Sequence, residues 1–245
     1  MPTRIIYISL FSMILYHRKE AVQQNKQMEK IKRLISLLLD IILPRDPEIT
    51  KIENMSEIEI LNNIPQASEI KDDRFKALFQ YKNKISKRAI WAIKYEKNYK
   101  IAQKFSNLLY DFILENISDE IIFYQFNNPL LISIPMYKND FKKRGYNQSE
   151  LIINELVKTD KNKNFTISLN AITKIKETPH QSKLKNKTDR LKNLKNCFYA
   201  DEKIVAGKNI ILIDDVITTG TTMSEAAKTL INAGAKKVIG FSLAH

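Results

Sequence analysis

The chain has 245 residues with 40 Lys+Arg against 27 Asp+Glu, a formal charge of +13, and is 44% hydrophobic and 27% charged. Those proportions belong to a globular protein and exclude a disordered or fibrous one. A single cysteine, Cys197, excludes an intramolecular disulfide framework and any Cys₂ or Cys₄ zinc site, and His17, His180 and His245 are too scattered for a local metal cluster, so a reducing, cytoplasmic setting is expected.

The positive excess is uneven. From Lys138 to Lys208 there are 17 Lys/Arg against 8 Asp/Glu, a net +9. Two readings stay open: a solvated lysine surface, or a basic face that meets phosphate. A bias toward Lys, Asn and Ile and away from Gly and Ala adds a third contribution, since an A+T-rich genome imposes it regardless of function.

In chain order, the first feature is a 12-residue apolar run, Ile5 to Tyr16. A spanning helix needs roughly 20 apolar residues, and no small-residue cleavage pattern follows, so a membrane partner is not expected. Either the N-terminus is extended, or translation begins at Met28; an interfacial anchor is the lesser alternative. Ile31, Leu34, Ile35, Leu38, Leu39 and Ile42 then form a stripe at helical spacing, broken by Pro44-Arg45-Asp46-Pro47. The stretch to Pro65 is acidic and short of large core residues, with Ser56 and Glu59 spaced as a capping box for a short helix through Leu61. A denser apolar region starts at Phe75. Residues 1–70 are expected to be a small, mainly helical element without zinc ligands, and 71–245 the main domain.

The most specific stretch is Asn209-Ile-Ile-Leu-Ile-Asp214-Asp215-Val216-Ile217-Thr218-Thr219-Gly220-Thr221-Thr222. Ile210 to Ile213 is an unbroken aliphatic run, as in a strand buried on both faces. Met223, Ala226, Ala227, Leu230 and Ile231 repeat at helical spacing, Gly234 follows as a C-terminal cap, and Val238 to Leu243 reads as the next strand. The result is a βαβ unit and hence a parallel sheet.

Ligands of such folds sit at the turn between strand and helix. Here four threonine hydroxyls surround Gly220, whose missing side chain lets backbone N–H groups approach an anion, and the helix N-terminus adds partial positive charge. Asp214 and Asp215 stand just before that cradle. Carboxylates accept hydrogen bonds from vicinal hydroxyls and, with Mg²⁺, hold a polyol. A diol reader beside a phosphate cradle describes a ribose 5-phosphate site. Turn-capping alone would account for either half, but not for both in this order. The five glycines, at 145, 207, 220, 234 and 240, are too scattered for a dinucleotide or Walker loop.

Leu212 to Thr222 resembles the phosphoribosyl-pyrophosphate (PRPP) signature of type I phosphoribosyltransferases. Phe141-Lys-Lys-Arg-Gly-Tyr-Asn-Gln148 resembles the R-G-F-N-Q motif of the ComF family of competence-related proteins. Thr178-Pro-His-Gln181 with Asp189-Arg190 and Asn193 follows that family's T-x-x-Q…R-x-x-N pattern, while Lys94-Tyr95 and Ile134-Pro135 fall at its lysine-tyrosine element and V-P strand end. The resemblance spans about residues 75 to 245. One departure stands out: where many relatives carry a four-cysteine zinc module, Leu39 to Asp46 is followed by no cysteine until Cys197, so no zinc is expected and no role of zinc carries over.

The resemblance implies an α/β fold, a type I phosphoribosyltransferase-like parallel sheet flanked by helices. It further implies that Asp214 and Asp215 contact the ribose hydroxyls, directly or through Mg²⁺, and that Thr218 to Thr222 hold the 5-phosphate, with Val216 and Ile217 also among the binding residues. Pro135 and Met136 to Lys138 would form the pyrophosphate side. Lys94, Lys138, Arg144 and Arg190 are candidates to neutralise the leaving group, with Arg144 and Arg190 favoured because they lie inside family motifs. The basic stretch Lys174 to Lys195 suits a loop that closes over the site and delivers Gln181 and Arg190. Cys197, beside Phe198 and Tyr199 with no histidine near, reads as packing. The acceptor-binding hood is expected from residues before about 75 or from the terminal strand.

Two function classes follow. One is an Mg²⁺-dependent phosphoribosyltransferase acting on PRPP and an unidentified acceptor. The other is a non-catalytic protein of DNA uptake that binds nucleotide or single-stranded DNA, alongside the competence helicase machinery. Few aromatics interleave the basic stretch (Tyr146, Phe165, Phe198, Tyr199), which weakens the second.

Overall fold

The computed structural model describes residues 46–177 and 196–245. The apolar run at Ile5–Tyr16, the stripe from Ile31 to Ile42, Gln181 and Arg190 lie outside the described residues. From Glu48 to His245 the chain forms one folding unit, distinct from Met1–Pro47.

Two short helices open the described chain. Helix α1 (Pro47–Asn54) begins on a proline, whose missing N–H is no loss in a first turn. Helix α2 (Glu57–Asn63) has the full capping box: the Ser56 hydroxyl accepts from the Glu59 N–H, and the Glu59 carboxylate accepts from the Ser56 N–H at 2.6 Å. This segment looks poor in core residues by composition, yet Ile49, Ile52, Met55, Ile60 and Ile64 are all buried. One aliphatic residue per turn is enough when each faces the same neighbour. Lys104 Nζ donates to the Glu53 carbonyl at 2.6 Å and to that of Met55, closing the α1 C-terminus with a cation.

Strand β1 (Phe75–Phe79) is followed by α3 (Lys84–Trp91), capped by the Asn83 side chain, which accepts from the N–H groups of Ile85 and Ser86. Helix α3 runs on into a π-helical turn, Ala92–Glu96, ended by Lys97 in the left-handed region at φ 53°. Helix α4 (Tyr99–Tyr124) buries Ile101, Phe105, Leu109, Ile113 and Ile117 at four-residue steps and forms the floor of one core layer. Strand β2 (Leu130–Ser133), α5 (Lys138–Arg144), α6 (Gln148–Thr159), β3 (Thr166–Ile167) and β4 (Ile172–Lys174) follow. After the undescribed segment come β5 (Phe198–Ala200), α7 (Glu202–Val205), β6 (Asn209–Val216), α8 (Thr221–Asn232) and β7 (Lys237–Ala244).

Five strands form a parallel sheet in the order β1-β7-β6-β2-β3, with β4 and β5 paired antiparallel beside it. The central strand explains the layering. Ile211 and Ile213 point into the layer with α4 and α6, while Ile210 and Leu212 point into the layer with Met223, Ala226, Ala227 and Leu230 of α8. Alternate residues of one strand thus bury against helices on both sides, which is why the run contains no polar residue. Cys197 is fully buried in the second layer beside Phe198, as packing. Gly234 (φ 89°) ends α8 in a Schellman arrangement, with the Ala235 N–H on the Leu230 carbonyl and the Gly234 N–H on that of Ile231. Among the described residues no helix is long and apolar enough to cross a membrane.

Candidate functional site

The C-terminal edge of the sheet carries the site. Strand β6 ends in Asp214, Asp215 and Val216, and the turn Ile217–Gly220 leads into α8. Gly220 stands at the N-cap in the left-handed region (φ 72°), and no side chain caps the helix. The first-turn residues Thr221, Thr222 and Met223 instead line a small pocket with Asp214, Val216, Ile217, Thr218 and Gly220. An uncapped helix N-terminus behind a glycine is an anion seat. The turn is held from below: the Ile217 N–H donates to the Ala244 carbonyl at 2.9 Å, and His245 Nδ1 meets the Ile217 carbonyl at 2.7 Å. Thr219 and Thr221 share a hydroxyl hydrogen bond of 2.7 Å across the glycine.

The carboxylates are gripped from the opposite side by the corner between α5 and α6. Each residue of Arg144-Gly-Tyr-Asn-Gln148 has a separate job. Gly145 at φ 80° ends α5 in a conformation that a Cβ would strain. Tyr146 anchors the corner to the π-turn, its hydroxyl donating to the Ile93 carbonyl at 2.6 Å and accepting from the Lys97 N–H. Asn147 caps α6 by accepting from the Ser149 N–H and ties back to β2 by donating to the Ile134 carbonyl at 3.1 Å. Gln148 Nε2 then donates to Asp215 Oδ1 at 3.0 Å, and the Ser149 hydroxyl donates to Asp214 Oδ1 at 3.0 Å. Lys94, delivered by the π-turn, closes the ring with an ion pair to Asp215 Oδ2 at 2.7 Å.

The two aspartates titrate apart because, side by side, they meet different partners. Burial, then the neighbouring Asp215 charge, pushes Asp214 up to about 8. Burial pushes Asp215 upward as well, but the Lys94 ammonium and the hydrogen bonds from Lys94 and Gln148 outweigh it and hold Asp215 below the usual carboxylate range. Lys94 answers in kind: burial lowers it, but the Asp215 charge, the hydrogen bond to Asp215 and the Asp214 charge together outweigh that, and it stays raised and protonated. The donors here are all oxygens, and among the described residues no group of three or more His, Cys, Asp or Glu could hold a metal alone. A hard divalent cation of the Mg²⁺ kind fits such a pair when ligand oxygens and water complete its shell.

The other sequence-derived candidates divide. Pro135 follows β2, where the Ile134 N–H donates to the Ile213 carbonyl at 2.9 Å, so it lies beside the Asp214 end of β6. Lys138 is exposed in the first turn of α5, outside this network. Arg144 is directed inward: it donates to Gln148 Oε1 and to Met136 Sδ, and lies 5.1 Å from the Tyr95 ring centre. It therefore buttresses the side chain that holds Asp215. One contributor escaped sequence reasoning. Ser149 follows the motif without belonging to it, and only its position at the start of α6, one residue past Gln148, marks it. Lys174, the first residue of the basic stretch expected to close over the site, instead ends β4, where burial lowers it.

A buried parallel strand that ends in paired carboxylates beside a glycine–threonine helix start defines an α/β protein whose candidate ligand site lies at the carboxyl edge of the sheet. The model of the phosphoribosyl transferase domain matches residues 106–244, more than half of the chain. The chain belongs to that family, and within it to the ComF proteins. It is similar to competence protein ComFC of Bacillus subtilis, 38% identical over 116 residues, covering 46% of this chain and 43% of that one. Competence protein F of Haemophilus influenzae is 34% identical over 121 residues, 47% and 49% of the two chains. DNA utilization protein YhgH of Escherichia coli O157:H7 is 35% identical over 108 residues, 44% and 45%. The chain thus spans about half the length of the curated relatives it matches.

Proposed function

We propose that the chain binds PRPP with Mg²⁺ in the cytoplasm, transfers its 5-phosphoribosyl group to an acceptor, and serves DNA uptake, as the names of its competence relatives suggest. The observation that carries this reading is one pocket lined by Asp214 together with Thr218, Gly220, Thr221 and Thr222 of the turn, with Asp215 buried next to it on β6. Asp214 and Asp215 would take the ribose hydroxyls, and the turn the 5-phosphate. Transfer breaks the bond from the anomeric carbon to pyrophosphate and forms one to the acceptor, so positive charge grows on the ring as a polyanion departs. A bound magnesium ion would neutralise part of that leaving charge. Pro135 and Lys138 border the pyrophosphate side, with Arg190 a further candidate to reach it. The buried Asp215 supplies a fixed negative charge beside the ring, and Lys94 and Gln148 keep it ionised and still.

The test is thermal unfolding of the whole chain with PRPP and Mg²⁺. At a hundredfold excess over Kd the wild type should gain about 5 °C or more. The Asp214→Asn/Asp215→Asn double variant should gain nothing. No gain by wild type at millimolar PRPP rejects the reading. A second reading, binding of nucleotide or single-stranded DNA without transfer, is supported by the net +9 between Lys138 and Lys208. Affinity for single strands would then fall steeply with salt, and a flat dependence removes it.

A further inference from the structure

Asp214 and Asp215 are neighbours on β6, yet they stand differently toward the pocket. Both oxygens of Asp215 are already engaged by the protein: Oδ1 accepts from Gln148 Nε2 at 3.0 Å and Oδ2 from Lys94 Nζ at 2.7 Å. Only 3% of its surface is exposed. Asp214 is partly buried and lines the pocket with Thr218, Gly220, Thr221 and Thr222. Among the described residues, both of the donors that reach it go to one oxygen. Oδ1 accepts from the Ser149 hydroxyl at 3.0 Å and from the Asp215 N–H at 2.9 Å. That leaves Oδ2 as the acceptor open to a ligand in the pocket.

The two donors differ in origin. The Asp215 N–H belongs to the next residue of the strand, whereas Ser149 reaches Asp214 from another element, across 65 positions of sequence. Ser149 is fully buried in the first turn of α6, and its own N–H is held by the Asn147 side chain at 3.0 Å. Asn147 also donates to the Ile134 carbonyl at 3.1 Å, so the start of α6 is tied to the end of β2. The hydroxyl therefore acts from a fixed base. A carboxylate turns easily about its last side-chain bond, whose torsional minimum is broad. Two donors on one oxygen fix that turn, and a single donor lets the carboxylate plane tilt. An acceptor fixed before binding asks less ordering of the complex than one that must be oriented by its ligand.

We propose that Ser149 is a positioning residue: by holding Asp214 Oδ1 it presents Oδ2 to the hydroxyls of a ribose phosphate, so that the site reads the sugar as well as the phosphate. The inference rests on the sugar-phosphate reading of the pocket and names a residue that this reading leaves unassigned. The full chain is titrated with ribose 5-phosphate by calorimetry, and inorganic phosphate is measured as its competitor. Phosphate carries no sugar hydroxyl and needs only the turn, so it is the internal reference. Ser149→Ala keeps the N–H that Asn147 caps. Its affinity for ribose 5-phosphate should fall about tenfold, the scale of one hydrogen bond to a charged group, while that for phosphate changes less than about twofold. Ser149→Cys fills the same space with a weak donor and should lose as much, which separates the hydrogen bond from the void. Ser149→Thr restores the hydroxyl and should recover most of the loss. Equal falls for both ligands would make Ser149 a structural residue only and overturn the inference. So would an unchanged ribose 5-phosphate affinity in Ser149→Ala, wild-type affinity in Ser149→Cys, or a folded Ser149→Thr that binds no better than Ser149→Ala. Wild type that binds neither ligand, or binds ribose 5-phosphate without competition from phosphate, refutes the sugar-phosphate reading itself and the inference with it.

Discussion

Two corners meet at Asp214 and Asp215, and they are built in opposite ways. The proposed phosphate corner is contiguous: the end of β6, the turn and the start of α8 supply strand, glycine and helix N-terminus within one short stretch. The carboxylate corner is assembled. Lys94 reaches Asp215 across 121 positions of sequence and Gln148 across 67. The contrast has a physical origin. An anion seat is a backbone device, so local conformation suffices. The charge state of a carboxylate depends on burial and on distant counter-charges, which only tertiary packing sets.

Substitutions can separate the two corners. The largest effect is expected from Lys94→Met, which leaves Asp215 buried without its cation; urea unfolding should show a loss of about 3 kcal/mol. A loss below about 0.5 kcal/mol would make this pair equivalent to a surface ion pair and dissolve the contrast. Next comes Gly240→Ala, beneath the contiguous corner. A Cβ there would stand 2.8 Å from Phe75 Cδ1 and 2.9 Å from Met223 Cγ and Sδ, a crowding that should lower stability by about 2 kcal/mol. An unchanged unfolding midpoint would mean that Met223 swings aside and the floor of the phosphate corner is soft. The smallest effect belongs to Asn147→Ala, which removes the α6 cap at a cost of about 1 kcal/mol. Because α6 carries Gln148 and Ser149, the PRPP-induced rise in melting temperature should shrink in this variant. Full retention of that rise would show that the assembled corner tolerates a frayed helix start.

What was legible in sequence was local. Ser56 and Glu59 announce their capping box because the partners are three residues apart. Gly234 announces the end of α8 because few other residues take φ 89° without strain. The Ile210–Ile213 run announces a doubly covered strand because both layers demand apolar side chains. Illegible features had their partners far away. Arg144 carries a motif signal, but nothing adjacent to it says that its guanidinium turns inward to Gln148 rather than outward to a ligand. Ile49, Ile52 and Ile60 look sparse until α4 supplies the surface that they cover.

The same division holds for the site. Residue order alone pointed to a phosphate-binding turn behind two carboxylates, since hydroxyls, glycine and helix start act over a few bonds. Folding decided which carboxylate holds its proton the more tightly. Asp214 and Asp215 are chemically identical neighbours, and composition offers no reason to tell them apart. The pleat of β6 turns one toward Lys94 and Gln148 and the other toward Ser149 and the pocket, and that difference in surroundings drives one proton affinity down and the other up.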